Sequence, residues 1–161
     1  MDIFKEYKEL QMNVEFKKFL RDNKDYYLVH ILFDEEQNKS ELGFFNPKKD
    51  KMVIFKNNPF EKSKEEDVFK EGKTITKLDM DKIKINYEEA TNKIKDVMKK
   101  DFSDEEVKKK IMILQFILEP VWNVTLICKS MNIINIRINS ETGKIVRKDK
   151  TSLLNMAGIA K

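Results

Sequence analysis

The chain is short of the residue types on which most recognisable chemistry is built. Its 161 residues include one cysteine, one histidine, one tryptophan, three prolines and four glycines. Each shortage excludes something. Cys128 has no second thiol, which rules out a cystine-stapled secreted fold and makes a cytoplasmic setting the expectation. One His and one Cys fall short of the Cys/His zinc sites and the all-cysteine iron–sulfur sites, so no metal or other cofactor is expected. The scattered glycines form neither a GxGxxG turn nor a Walker loop, the backbone cradles that phosphate chemistry needs. No apolar run is long enough to span a bilayer; the longest, Ile111 to Leu118, is broken by Gln115. Met1-Asp2-Ile3-Phe4-Lys5-Glu6 lacks the basic-then-apolar run of a signal peptide.

Core material is abundant. Apolar residues make up 40% of the chain, with 11 Phe, so a folded domain is expected rather than disorder. Charge is plentiful but of both signs: 32 Lys+Arg against 28 Asp+Glu leave +4. That near balance describes a solvated surface, not a footprint for a polyanion.

Periodicity places the elements. Ile3, Tyr7, Leu10 and Val14, continued by Phe16, Phe19 and Leu20, predict a helix over residues 2–22. Tyr26 to Phe33 reads as a strand, and shorter strands follow at Glu41–Phe45 and Lys51–Lys56. Residues 57–81 change character, with high charge, little periodicity, Pro59 and Gly72, and read as a linker with Val68, Phe69 and Ile75 as candidate docking residues. Ile83-Lys84-Ile85 is a candidate edge strand. Asn86 followed by Glu89 forms a capping box that starts a second helix, its apolar face carrying Tyr87, Ala90, Ile94, Val97 and Met98. Ser103-Asp104-Glu105-Glu106 repeats the capping signal and predicts a further helical turn. The run after it, Ile111 to Leu118, is apolar on every side, so periodicity does not decide whether that helix continues to Leu118 or yields to a strand near Ile111; a strand is the expectation. Val121–Cys128 and Asn132–Ile138 are strands, and Gly143 sits in the turn before a final strand at Lys144–Arg147.

The two halves share a pattern. Phe45–Val53 can be laid on Ile138–Val146 without a gap, and Tyr27–Leu32 on Trp122–Ile127 once a longer turn is allowed in the first copy. A helix precedes both. This predicts one unit, a helix on an antiparallel meander, used twice.

Ile85-Asn86-Tyr87-Glu88-Glu89-Ala90, Trp122-Asn123-Val124 and Ile136–Val146 together resemble a PepSY domain over residues 83–148, with a degenerate echo in 2–56. The chain departs from that family at Asn139, where Asp is frequent. The resemblance implies a non-catalytic, protein-contacting module, although family members are mostly secreted or membrane-attached. The expected architecture is α+β: tandem helix-plus-meander units, PepSY-like or cystatin-like, with separate or joined sheets. The expected organisation is 1–56 as the first unit, 57–81 as linker, 82–150 as the second unit and 151–161 as tail.

No catalytic constellation emerges. His30 lies in an apolar strand and reads as a packed histidine, Cys128 as a buried small hydrophobe. The pairs Glu35-Glu36, Glu65-Glu66 and Glu105-Glu106 read as solvated surface charge, and Trp122 as a helix–sheet anchor. The leading expectation is therefore a non-enzymatic protein-interaction or regulatory module. It would use an open sheet face, or a sheet edge shared with a protein partner or a second copy, with no membrane partner. The rival is nucleic-acid binding through Lys48-Lys49 beside Phe44 and Phe45, or through Lys99-Lys100 and Lys108-Lys109-Lys110. Interleaved acids and only three arginines, Arg21, Arg137 and Arg147, weigh against it. A third expectation is a small ligand held between helix and sheet.

Overall fold

The computed structural model describes residues 1–68 and 74–156. Helix α1 (Ile3–Met12) starts at Asp2, whose carboxylate accepts the amides of Phe4 and Lys5 at 3.0 and 3.2 Å. The single helix expected over 2–22 is two. Asn13 takes an extended conformation, closes α1 through its amide to the Leu10 carbonyl, and caps α2 (Val14–Asp22) by accepting the Phe16 amide at 3.1 Å. An Asn side chain that competes with the backbone in this way breaks a helix as readily as it starts one.

Three strands follow: β1 (Tyr27–Asp34), β2 (Lys39–Asn46) and β3 (Lys51–Lys56). The 57–81 segment read as a linker is not bare connection. It carries β4 (Glu61–Lys62) and β5 (Glu66–Asp67), both paired with β3, and a 3-10 turn at Met80–Lys82. Leu78 in it is buried, and its amide bonds the Leu28 carbonyl at 2.8 Å. Of its expected docking residues, Ile75 gives its carbonyl to the Tyr27 hydroxyl, while Phe69 lies outside the described residues, as does Gly72. Ile83–Ile85 form no strand; the amides of Lys84 and Ile85 instead share the Ser140 carbonyl.

Helix α3 (Tyr87–Asp101) has the expected capping box, complete in both directions. Ala90, Ile94 and Val97 form its buried stripe. The second capping signal starts no helix. Residues 103–106 form a turn in which Glu105 accepts from the Ser130 hydroxyl and the Asn132 amide, at 2.5 and 2.6 Å. A long-range partner thus uses the carboxylate that sequence alone assigns to a cap. The ambiguous apolar run belongs to strand β6 (Val107–Ile117), followed by β7 (Glu119–Cys128), β8 (Asn132–Asn139), β9 (Ile145–Ser152) and a last turn of helix, α4 (Leu153–Met156).

The architecture is α+β, with one continuous nine-stranded antiparallel sheet in the order β4-β3-β2-β1-β6-β7-β8-β9, β5 also lying on β3. The two meanders join where β1 pairs β6, from His30 opposite Gln115 to Phe33 opposite Met112. Strand alternation sends every second residue to one face. Phe55, Leu42, Ile31, Leu114, Trp122 and Ile138 form one row across six strands there, all buried. The stripes of α1, α2 and α3 pack on this face in a single core. Trp122 is fully buried and donates its indole N–H to the Ile85 carbonyl at 2.8 Å, which ties the segment before α3 to the sheet.

The strand correspondence expected between the halves is not realised in space. Strands β1 and β7 each run antiparallel to β6 and so parallel to one another, yet their meanders travel outward in opposite directions. With all three long helices on one face, no rotation carries β1-β2-β3 onto β7-β8-β9.

Candidate functional site

Three regions present chemistry to solvent. The first lies where β1 ends. Asp34 accepts the Gln37 amide at 3.1 Å and Asn38 takes positive φ, so the chain turns away while β6 continues past the end of its pairing with β1. Glu35, on this turn, meets two groups from distant elements. Lys110 of β6 approaches its carboxylate at 2.7 Å, and the Tyr87 hydroxyl, placed by the capping box of α3, donates to the same oxygen. The Lys110 ammonium also stands over the Tyr87 ring, 5.6 Å from its centroid. Burial pushes Glu35 upward, but the hydrogen bonds from Lys110 and Tyr87 and the charges of Lys110 and Lys95 outweigh it and hold the carboxyl below its ordinary range. Tyr87 is driven up by burial and by Glu35, so it stays a phenol. The cluster is internally neutralised: a phenol and an ammonium both serve one carboxylate.

Cavities of about 260, 310 and 410 Å³ meet around Glu35. The largest lies between α3 and the start of β6. Among the described residues no three or more His, Cys, Asp or Glu converge as a metal cluster, and no helix is long and apolar enough to cross a membrane.

The second region is the sheet face turned away from the helices. One row reads Lys56, Glu41, Leu32, Ile113, Asn123, Arg137, Arg147 across seven strands. A second runs through Ile54, Gly43, His30, Gln115, Val121 and Asn139. Most of these side chains are half-buried by their neighbours alone. Arg137 donates to Asn123 at 3.3 Å, and Arg147 pairs with Asp149 at 2.5 Å, so two of the three arginines stand side by side. His30 occupies a bulge opposite Gly43, with its ring over the glycine where a Cβ would otherwise be. Burial pushes its pKa down, against the pull of Glu41, and leaves the ring neutral.

The third region comprises edges and tips. Strand β9 has eight residues and, among the described residues, pairs with β8 alone. Its lysines reach inward, Lys148 to Asp101 at 2.7 Å and Lys150 to Glu105 at 3.4 Å. Leu118, at the tip of the β6–β7 hairpin, is 96% exposed with φ 63°, and Met131 on the β7–β8 turn combines φ 68° with an exposed side chain.

Other residues singled out in the sequence serve the fold. Cys128 is buried, and burial raises its thiol pKa, with Glu105 adding to the effect. Phe44 and Phe45 are buried rather than presented, while Lys48 pairs with Asp25 and Lys49 with Glu65. The aromatic platform expected beside Lys48 and Lys49 is therefore absent from that hairpin. Glu65 accepts the Tyr26 hydroxyl at 2.6 Å, and Glu106 pairs with Lys129. What sequence reasoning missed is the Glu35–Tyr87–Lys110 constellation. It depends on β1 lying beside β6, and nothing in the local sequence signals that.

No family model matches the chain, and no curated protein matches it. Among solved structures it is similar to the crystal structure of a "putative lipoprotein" from Clostridium difficile, with a TM-score of 0.54 and 18% identity. The match covers 85% of this chain and 90% of that one. At that identity the likeness concerns the fold.

Proposed function

We propose that the chain is a non-enzymatic protein-interaction module that presents the helix-free face of its sheet to a protein partner. The observation that carries this reading is the composition of that face. Leu32, Ile111 and Ile113 form an apolar centre, and polar His30, Glu41, Gln115, Asn123 and Arg137 surround it. An apolar centre with a polar rim, holding arginine and few acids, is the anatomy of a docking surface. The PepSY resemblance of residues 83–148 points the same way. The adjacent Arg137 and Arg147 favour a partner that brings carboxylates to the β8–β9 end of the face.

The proposal includes a duplication, with a correspondence shifted by one strand. Reading outward from the β1–β6 junction, each side presents helix first and then strands in chain order. A two-fold axis through that junction relates β1 to β6, β2 to β7 and β3 to β8. The likeness of the 45–53 and 138–146 hairpins then reflects shared turn chemistry, since Asn46 and Asn139 each accept the amides two and three residues on.

A photo-crosslinking residue placed at Ile113 should capture a partner in cells, and the same residue at Lys18 on α2 should not. Adding Leu32→Arg should abolish capture at unchanged melting temperature. Equal capture from both positions, or none from Ile113, would overturn the reading.

A further inference from the structure

The cavity of about 410 Å³ between α3 and β6 lies on the helix side of the sheet, apart from the proposed docking face. Its floor is aliphatic. Ile94 of α3 and Leu126 of β7 are buried beneath it, and Met98 and Val107 form its walls, with Val107 40% exposed. Its rim is cationic. Lys95 and Lys108 stand there with no ion pair among the described residues, and Lys110 is held in place by Glu35.

The chemistry of this lining narrows the ligand. No aromatic ring lines the cavity, so it offers no platform on which a base or sugar would stack. Its neutral hydroxyl, Thr91, is engaged with the Met112 sulfur at 3.8 Å and is a poor guide for a polar ligand body. The groups left to orient a ligand are Lys95 and Lys108, since Lys110 is engaged with the one carboxylate, Glu35, which Lys110 and Tyr87 already satisfy. Two ammonium groups without a salt-bridge partner among the described residues, Lys95 also adding its charge to the field at Glu35, stand beside four apolar side chains and suit an anionic head on a flexible hydrocarbon chain. The volume lies at the small end of the range for ligand pockets, roughly 300–1,000 Å³, and so fits a chain of medium length.

We propose that this cavity binds a single-chain aliphatic carboxylate, its head between Lys95 and Lys108 and its tail along Met98, Val107, Ile94 and Leu126. The site would make the module a carrier or sensor of such acids, independently of what docks on the open sheet face.

Calorimetric titration with hexanoate, octanoate and decanoate, each below its micelle concentration, tests this directly. Affinity should rise about fourfold per methylene, the equivalent of ~0.8 kcal/mol, until the floor is covered. Decanol should bind at least tenfold more weakly than decanoate, because it lacks the charge. Lys95→Gln combined with Lys108→Gln should cost decanoate about tenfold and leave decanol unchanged. Both lysines are exposed, so the double variant should fold normally, and its melting temperature without ligand checks that. Met98→Trp should block acid and alcohol alike, with the circular dichroism spectrum retained. Absence of decanoate binding, equal affinity for decanoate and decanol, or decanoate binding untouched by the lysine changes would each overturn the assignment.

Discussion

Gly43 and His30 form a pair whose energetics can be worked from geometry. A Cβ built on Gly43 would stand 2.2 Å from His30 Cε1, 2.6 Å from Nε2 and 2.7 Å from Nδ1. Optimal contacts between non-bonded heavy atoms lie near 3.5–4.0 Å, so the ring would have to move by more than an ångström. It has little room, because His30 occupies a bulge and is flanked by β2 and β6. Forcing such an overlap costs about 1–3 kcal/mol. Against this, exchanging Gly for Ala in a strand recovers roughly 0.5–1 kcal/mol of conformational entropy. Gly43→Ala should therefore destabilise by about 1–2 kcal/mol. In a His30→Ala background the obstacle is gone, and the same change should be neutral or stabilising by up to about 1 kcal/mol. The coupling in the double-mutant cycle should reach about 2 kcal/mol, well above the ~0.5 kcal/mol within which independent sites add. Urea unfolding followed by the emission of Trp122, the sole tryptophan and fully buried, measures all four variants. Equal effects of Gly43→Ala in both backgrounds would refute the reasoning. The same residue sets a pH dependence. Burial holds the folded-state pKa of His30 below the free value of 6.5, so the unfolded chain takes up the proton first as pH falls. Stability from the neutral ring is complete above pH 6.5 and declines below it, down to the lower folded-state value. In His30→Ala that part of the decline should vanish.

Asn139 accepts the amides of Glu141 and Thr142 and donates to Glu119 at 2.7 Å, so Asn139→Asp would set two carboxylates against each other. It should cost about 1–3 kcal/mol at neutral pH, and Glu119→Gln should restore most of it; a neutral outcome in denaturant melts would contradict the contact. Leu118→Gly should raise stability by about 0.5–1 kcal/mol. It relieves a left-handed leucine whose strain is ~1–2 kcal/mol and forfeits part of that to glycine entropy. Destabilisation by Leu118→Gly would mean the exposed side chain is engaged after all. The Cys128 thiol should react with a disulfide reagent only in step with unfolding, because it is buried and its pKa is raised; rapid labelling of the native chain would disprove its packing.

Much of the fold was legible because its signals are local. The box at Asn86 and Glu89, the strand read over Tyr26–Phe33 and found at Tyr27–Asp34, and the turn at Gly143 each follow from a few adjacent residues whose chemistry has one good solution. The errors share one cause. Asn13 and Glu105 carry side chains that suit more than one role: Asn13 caps a new helix through the local Phe16 amide, and Glu105 is taken by the distant Ser130 and Asn132. The parallel hairpins at 45–53 and 138–146 misled for a related reason. Their likeness is a solution to leaving a strand through an Asn side chain, open to any strand whatever its place in the sheet. Nor does the free state of Cys128 decide a compartment, since a lone thiol buried in the core stays reduced wherever the chain resides.

The three lysines at 108–110 show what a sequence withholds about a site. Read along the chain they are one basic run, and a basic run reads as a polyanion contact. Strand geometry divides them. The side chain of Lys109 falls on the helix-free face, with the row of Ile127 and Ile133; Lys110 points to the opposite face and is consumed by Glu35 and the Tyr87 ring; Lys108 is left at the rim of the aliphatic cavity. All three do border the cavity of about 260 Å³ at the end of β1, but three carboxylates border it with them. A polyanion tracking this stretch would meet Asp34, Glu35 and Glu36 across the adjoining cavity of about 260 Å³. A single carboxylate with a hydrocarbon tail needs only Lys108 and its neighbour Lys95, and it places its apolar part where Val107 and Met98 are otherwise left in water. The alternation that disperses the run thus argues against the binding mode its sequence suggests and for a smaller ligand at one of its members.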